Sequence, residues 1–377
     1  MKKLLKSLLA GSMILSLAAC GSSSSSSSST ETESSSDVKV AMITDSGDIT
    51  DQSFNQTTYE AGKAFCEENG IDFNYYKPAS DSDDDRIASC EQAIEDGYTT
   101  LLMPGYLFAE AIAQISNDYD DVKIIALDVS QSDLDGASKA AVMDNVYCAT
   151  YQEEIPGYMA GYAAVKLGYT KLGFLGGMAV PAVIRYGYGF VQGADAAADE
   201  LGVDIEIKYV YGGQFYGDSD ITAKMDTWYS QGTEVVFACG GGIYTSAAEA
   251  AAKVNGKVIG VDSDQAGIID DYGEGMTVTS AMKDLANTVK TLLQAVVDGN
   301  FSEYAGKVDS LGMVSEDANS NYVGLAPSTQ YSDSFTEDDY AALVKAIFNG
   351  EITISNDTEK APTVSAHTTL DEQGSIK

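Results

Sequence analysis

The residues with chemistry to offer in this 377-residue chain are aspartates, glycines and aromatics that recur just after short apolar runs. Thr44-Asp45-Ser46-Gly47-Asp48 follows the first run and leads into Asp51-Gln52-Ser53-Phe54-Asn55-Gln56. Asp128 follows another, and later runs end in Gly176-Gly177, Gly212-Gly213-Gln214-Phe215, Gly240-Gly241-Gly242 and Asp262-Ser263-Asp264. Carboxylates accept hydrogen bonds from hydroxyl and N–H groups, aromatic rings stack on flat rings, and glycines let backbone approach a ligand closely. Taken singly, Asp45, Asp128 and Asp262 read equally well as helix caps, and Phe54 and Phe215 as core residues. Their joint recurrence at several such ends favours a binding site.

Covalent chemistry finds little support. The only histidine, His367, lies in a polar C-terminal stretch, which excludes a Ser-His-Asp or Cys-His pair in the core. Neither G-x-S-x-G nor H-E-x-x-H occurs. Paired carboxylates can cleave a glycosidic bond, a reading that the aspartates leave formally open. Cys66, Cys90, Cys148 and Cys239 are scattered without C-x-x-C spacing or nearby histidine, so no zinc site is expected. Buried free thiols are the expectation; if they paired, three connectivities would be open. Asp81-Ser82-Asp83-Asp84-Asp85 lacks the EF-hand pattern, since Arg86 stands where glycine is required, and reads as the solvated start of a helix.

Charge narrows the ligand further. The chain has 22 basic and 57 acidic residues, a formal net charge of −35, which repels nucleic acids and other polyanions. No G-x-x-x-x-G-K-[ST] cradle exists, and Asp45-Ser46-Gly47 occupies the place of a dinucleotide-binding glycine loop. Phosphates would meet Asp45, Asp128 and Asp262 with Lys283 to offset them. A small neutral ligand is expected, with no cofactor and no metal.

The elements that must position these residues alternate between strand and helix. Val38–Ile43, Asp72–Tyr76, Thr100–Met103 and Lys123–Leu127 read as strands, with helices over Phe54–Asn69, from about Asp84 to Asp96, and before the fourth strand. A second set follows: a helix over Tyr158–Lys166, then strands Lys171–Leu175, Ile205–Val210, Val235–Ala238 and Val258–Val261 with helices between. The nearly all-apolar central runs fit parallel strands covered on both faces. Alternation of this kind predicts an α/β protein of two doubly wound parallel sheets, whose ligands gather at the carboxyl ends of the strands. The two sets share architecture but no residue-level repeat. Met276–Ser280 and Leu285–Val297 are expected to return to the first lobe, and a terminal helix over Phe335–Asn349 to lie on the second.

At the N-terminus, Lys2, Lys3 and Lys6 precede the apolar stretch Leu8–Leu17, too short to span a membrane. Leu17-Ala18-Ala19-Cys20 resembles a bacterial lipobox, which implies a signal peptide over residues 1–19 and lipidation, including palmitate, at Cys20. The serine-rich segment to residue 37 reads as a tether. Firm attachment needs more than one acyl chain. The expected division is lobe 1 over 38–145 plus 268–305 and lobe 2 over 146–267 plus 306–377.

Four segments in order carry a resemblance: Asp45-Ser46-Gly47 with Asp51–Gln56; Gly157-Tyr158-Met159-Ala160-Gly161-Tyr162-Ala163-Ala164; Gly173–Met178 continuing to Gly189-Phe190-x-x-Gly193; and Ile259-Gly260-Val261-Asp262-Ser263-Asp264-Gln265. From Val38 to about Ala326 the chain resembles the basic membrane protein family of substrate-binding lipoproteins, which includes bacterial purine nucleoside receptors. The resemblance implies two lobes around a cleft, joined by three hinge crossings, as in ribose-binding proteins. It implies that Phe54 and an aromatic near Phe215 sandwich a base, that Asp128 bonds the base with Asp45 and Asn55 beside it, and that Gly240 or a neighbour offers backbone groups. Asp262 with Lys283 would hold ribose hydroxyls. The tyrosine-rich loop Tyr209–Tyr216 departs from the family pattern and carries an extra aromatic.

The function expected is non-enzymatic capture of a nucleoside, purine favoured, by a monomeric lipid-anchored protein on the outer face of the cell membrane, for delivery to an ABC-type permease. Rival readings are a sugar or autoinducer binder of the same fold, a surface lipoprotein sensor or adhesin, and a nucleoside hydrolase, which alone predicts turnover.

Overall fold

The computed structural model describes residues 38–45 and 47–376. The expected signal peptide, Cys20 lipidation site and serine-rich tether lie outside the described residues.

The first lobe begins with β1 (Lys39–Ile43), α1 (Phe54–Asn69), β2 (Asp72–Tyr76), α2 (Asp83–Glu95), β3 (Thr100–Pro104), α3 (Ala109–Asp118), β4 (Lys123–Leu127), α4 (Gln131–Gly136) and β5 (Val146–Tyr151). The second lobe holds α5 (Glu154–Lys166), β6 (Lys171–Gly176), α6 (Pro181–Leu201), β7 (Ile205–Tyr211), α7 (Ser219–Ser230), β8 (Val235–Cys239), α8 (Tyr244–Ala252), β9 (Lys257–Asp262), α9 (Ala266–Ile269) and β10 (Thr277–Lys283). The chain then adds α10 (Leu285–Val297), β11 (Lys307–Leu311), β12 (Val323–Leu325), α11 (Glu337–Phe348) and β13 (Thr368–Ser375).

Two sheets result, ordered β11-β5-β4-β3-β1-β2 and β12-β10-β9-β8-β6-β7-β13. Among the described pairings all are parallel except β10 with β12. The interior strands β3 and β8 are buried at every position, as their unbroken apolar runs require. Helices cover the faces and stop at recognisable signals. Gly70 (φ 67°) and Gly202 (φ 63°) end α1 and α6 in the left-handed conformation that glycine adopts freely. The two-lobed, periplasmic-binding-protein-like α/β architecture is as expected.

Sheet membership corrects the expected lobe boundaries in three places. Thr277–Lys283 does not return to the first lobe; it pairs with β9 in the second sheet, the segment between Asp262 and Thr277 being long enough for a parallel crossover. Val146–Tyr151, expected at the start of lobe 2, is a first-sheet strand beside β4. Lys307–Leu311, also expected in lobe 2, extends that sheet by pairing with β5. Leu285–Val297 does return, packing on α1, and α11 sits on the second lobe, where the Leu325 N–H donates to Tyr340 Oη at 2.8 Å. The C-terminal stretch is not a free tail: β13 pairs with β7, and His367 Nδ1 lies 2.8 Å from Asp204.

Within the described residues the chain passes between lobes three times: Tyr151 to Glu154, Lys283 to Leu285, and Leu311 to Val323. Backbone bonds tie the crossings together, from Gln152 N–H to the Leu311 carbonyl (2.9 Å) and from Asp284 N–H to the Tyr322 carbonyl (2.8 Å).

Candidate functional site

A cavity of about 600 Å³ lies between the lobes, at the carboxyl ends of the strands. Asp45, Phe54, Asn55, Asp128, Phe215, Gly240, Asp262 and Lys283 all line it. Its volume falls in the range of small-molecule sites.

From the first lobe, the loop after β1 brings Asp45 beside Asn55. Asp45 Oδ1 accepts from the Gly47 N–H at 2.7 Å and from Asn55 Nδ2 at 3.0 Å. Burial outweighs these bonds and pushes the Asp45 carboxyl up to about 6. Asp51 organises the start of α1, accepting from the N–H groups of Ser53, Asn55 and Gln56 at 2.9–3.0 Å and from Asn55 Nδ2 at 3.1 Å. Asn55 is thereby held by two carboxylates, and Phe54 enters the cavity wall from the first turn of the helix.

From the second lobe, the loop after β7 carries Phe215 across a floor of glycines. A Cβ built on Gly177 or Gly240 would stand 2.5 or 2.8 Å from Phe215 Cδ1, and Gly240 (φ 136°) has a backbone that side chains rarely adopt. Only glycine lets the ring settle there. Tyr216, next to it, also lines the cavity and is 63% exposed.

Asp128 and Asp262 occupy left-handed backbone positions, φ 59° and 63°, at the ends of β4 and β9. For a residue with a Cβ this costs roughly 1–2 kcal/mol, least for Asp and Asn. Such strain tends to collect at functional sites. Both carboxylates lie within 4 Å of Lys283, which stands at the end of β10 on the second hinge crossing.

Lys283 is 3% exposed in its side chain, not solvated. Its Nζ donates to Asp128 Oδ2 at 2.6 Å, lies 3.1 Å from Glu153 Oε1 and 3.8 Å from Asp262 Oδ1. The rings of Phe54, Tyr151 and Tyr186 surround it at 5.0, 5.3 and 5.6 Å. Burial opposes the ammonium charge, but Asp128, Glu153 and Asp262 outweigh it and hold the Lys283 pKa well above the usual lysine range. Asp128 is pushed up to about 6 by burial despite Lys283. Asp262 also accepts from Ser53 Oγ at 2.7 Å and Tyr186 Oη at 3.3 Å.

Three contacts bridge the lobes beside this cluster. The Ser53–Asp262 bond is one; Ser263 Oγ and Gln265 Nε2 both donate to the Gln52 carbonyl, at 3.1 and 3.0 Å.

Sequence reasoning missed Glu153, Arg185 and Tyr186. Glu153 is fully buried at the first hinge crossing, where Arg185 Nε donates to its Oε2 at 2.5 Å. Lys283 and Arg185 overcome burial and hold its carboxyl below the usual range. Neighbouring Glu154 is pushed up to about 7, chiefly by burial. Arg185 and Lys77 also line the cavity, two cations beyond Lys283 that the charge argument from sequence left out.

What brings Glu153 and Arg185 together is a close contact of α5 with α6. Cβ atoms on Gly157, Gly161, Gly189 and Gly193 would meet backbone carbonyls of the opposite helix at 1.9–2.2 Å. These glycines, prominent in the sequence motifs, serve helix packing and not ligand approach.

The cavity thus offers flat rings, carboxylate acceptors and a caged ammonium. Cys66, Cys90, Cys148 and Cys239 are buried free thiols, and no group of metal-ligating side chains occurs among the described residues.

Known proteins bear on this geometry. The "ABC transporter nucleoside-binding protein BmpA" of Lactococcus lactis is 28% identical over 284 residues, covering 71% of this chain and 77% of that protein. The "CD4+ T-cell-stimulating antigen" of Listeria monocytogenes is 29% identical over 360 residues, covering 88% of this chain and 96% of the relative. A crystal structure of ABC transporter system solute-binding proteins from Aeropyrum pernix matches with TM-score 0.66 at 21% identity, covering 85% of this chain and 94% of that one. The family model described as "ABC transporter substrate-binding protein PnrA-like" spans residues 38–358, and the chain belongs to that family.

Proposed function

We propose that this protein captures a nucleoside, with purine nucleosides favoured, in its interlobe cavity and delivers it to an ABC-type permease without chemical change. The observation that carries this reading is the pairing, in one cavity, of an aromatic ring from each lobe with the Asp128–Lys283–Asp262 cluster. Phe54 and Phe215 take the faces of the base. Asp45 and Asn55 read its edge, Gly240 offers backbone groups, and Asp262 with Lys283 holds the ribose hydroxyls. Asp128 bonds the base beside Asp45 and Asn55, held in place by Lys283. The nucleoside-binding relative supports this choice over a sugar.

The protein acts as a monomer outside the cell, anchored through lipid on Cys20 and tethered by its serine-rich segment. No helix among the described residues is long and apolar enough to cross a membrane. Replacing Cys20 with serine is expected to release the protein from membranes.

Titration calorimetry tests the ligand assignment. A 2′,3′-dideoxynucleoside should bind more weakly than its parent by about 1.5–3 kcal/mol, the scale of hydrogen bonds to charged groups. Equal affinities would overturn the roles given to Asp262 and Lys283.

A further inference from the structure

We infer that Glu153 is a positioning residue for ligand recognition: held by Arg185 at the hinge, it fixes the Lys283 ammonium at a set distance from Asp262. The inference rests on the nucleoside reading above, in which Lys283 and Asp262 together hold the ribose.

The geometry supports a balance of pulls. An ammonium has three N–H donors, and Lys283 gives one to Asp128 at 2.6 Å. Glu153 draws it from another side at 3.1 Å, while Asp262, at 3.8 Å, stays beyond hydrogen-bond reach. That gap leaves a donor on Lys283 and an acceptor on Asp262 for a ligand hydroxyl to bridge. Without the Glu153 charge, the ammonium would close on Asp262 and use up both. Lysine has a flexible four-carbon stem, so its position depends on the charges around it.

Arg185 completes the arrangement. Its bond to Glu153 Oε2 turns Oε1 toward Lys283, and the α5–α6 contact holds both residues in place. Glu153 follows β5 at the first crossing and Lys283 ends β10 at the second, so this ion pair also couples the hinge strands to the cavity.

The test compares affinities of guanosine and 2′,3′-dideoxyguanosine for the wild type, Glu153→Gln, Arg185→Gln and Arg185→Lys by titration calorimetry. The wild type should prefer guanosine by about tenfold or more, the scale of a charged hydrogen bond. Glu153→Gln should reduce that preference to about threefold or less, a loss of most of that bond's contribution. Arg185→Gln should shift it in the same direction, and Arg185→Lys should restore part of it. A merely structural role would weaken both ligands alike and leave the ratio unchanged, which would overturn the inference. Should Glu153→Gln fail to fold, the ratio in Arg185→Gln decides. Wild-type protein that binds neither ligand would overturn the underlying nucleoside reading instead.

Discussion

Burial of ionisable groups shapes this site residue by residue. Glu154 illustrates the cost: its carboxyl is raised from 4.5 to about 7, mainly by burial, and Asp45 and Asp128 are raised from 3.8 to about 6 for the same reason. A carboxyl with a raised folded pKa binds more protons folded than unfolded, so stability falls as pH rises between the two values. For Glu154 that window runs from 4.5 to about 7, and for the two aspartates from 3.8 to about 6. Calorimetry of the ligand-free protein should therefore give a higher Tm at pH 5 than at pH 7.5. Glu154→Gln should raise Tm at pH 7.5 and change it little below pH 4.5; a lower Tm at pH 7.5 would count against the assignment. Phe54→Ala should weaken nucleoside binding by about 1–3 kcal/mol, the scale of base–aromatic stacking, and unchanged affinity would remove Phe54 from that role. Seven of the eight cavity residues were legible because they stand at a strand end, in the loop after one or at a helix start; Lys283, the last residue of β10, entered through the family resemblance. Glu153 and Arg185 were not, since residues 153, 185 and 283 share no sequence spacing: the packing of α5 on α6 joins the first two, and the end of β10 brings Lys283 to them.

At the scale of elements, the α5–α6 contact sets where Glu153 and Arg185 stand. Gly193→Ala would place a methyl group 1.9 Å from the Tyr158 carbonyl, so the helices must separate. The expected cost is about 1–3 kcal/mol, as for other overpacked contacts, with a loss of nucleoside affinity as Arg185 shifts. Gly136→Ala in α4, where an added Cβ meets nothing, is the matched control and should leave Tm and affinity nearly unchanged. Thermal unfolding of the two variants checks both statements. The interior strands were legible from unbroken apolar runs, because parallel strands buried on both faces have no room for polar residues. The strands at the margins were not: β11 reads KVDSL and β13 TTLDEQGS, polar and half exposed, and neither carries an apolar signature. Thr277–Lys283 was assigned to the wrong lobe because nothing local in a strand says which sheet it joins; only its pairing with β9 does.

The whole molecule combines a strongly acidic surface, a net charge of −35, with a cavity in which cations are caged by carboxylates. Both features disfavour anionic ligands, and the two rings from opposite lobes favour a flat one. Contacts from Ser53 to Asp262 and from Ser263 and Gln265 to the Gln52 carbonyl bridge the lobes next to the same cluster, so the arrangement of the cavity side chains depends on how the lobes meet. Hinge closure around a ligand is the expected motion of such an architecture. A ligand that binds only the folded state stabilises it by about 2.7 kcal/mol at a hundred times its Kd, enough to move the melting temperature by several degrees. Thermal unfolding of the purified protein against nucleosides, free bases, pentoses and hexoses therefore asks the central question directly. Purine nucleosides should raise Tm most, with free bases and pentoses each giving a small part of that shift. A shift with a hexose or pentose and none with any nucleoside would contradict the account.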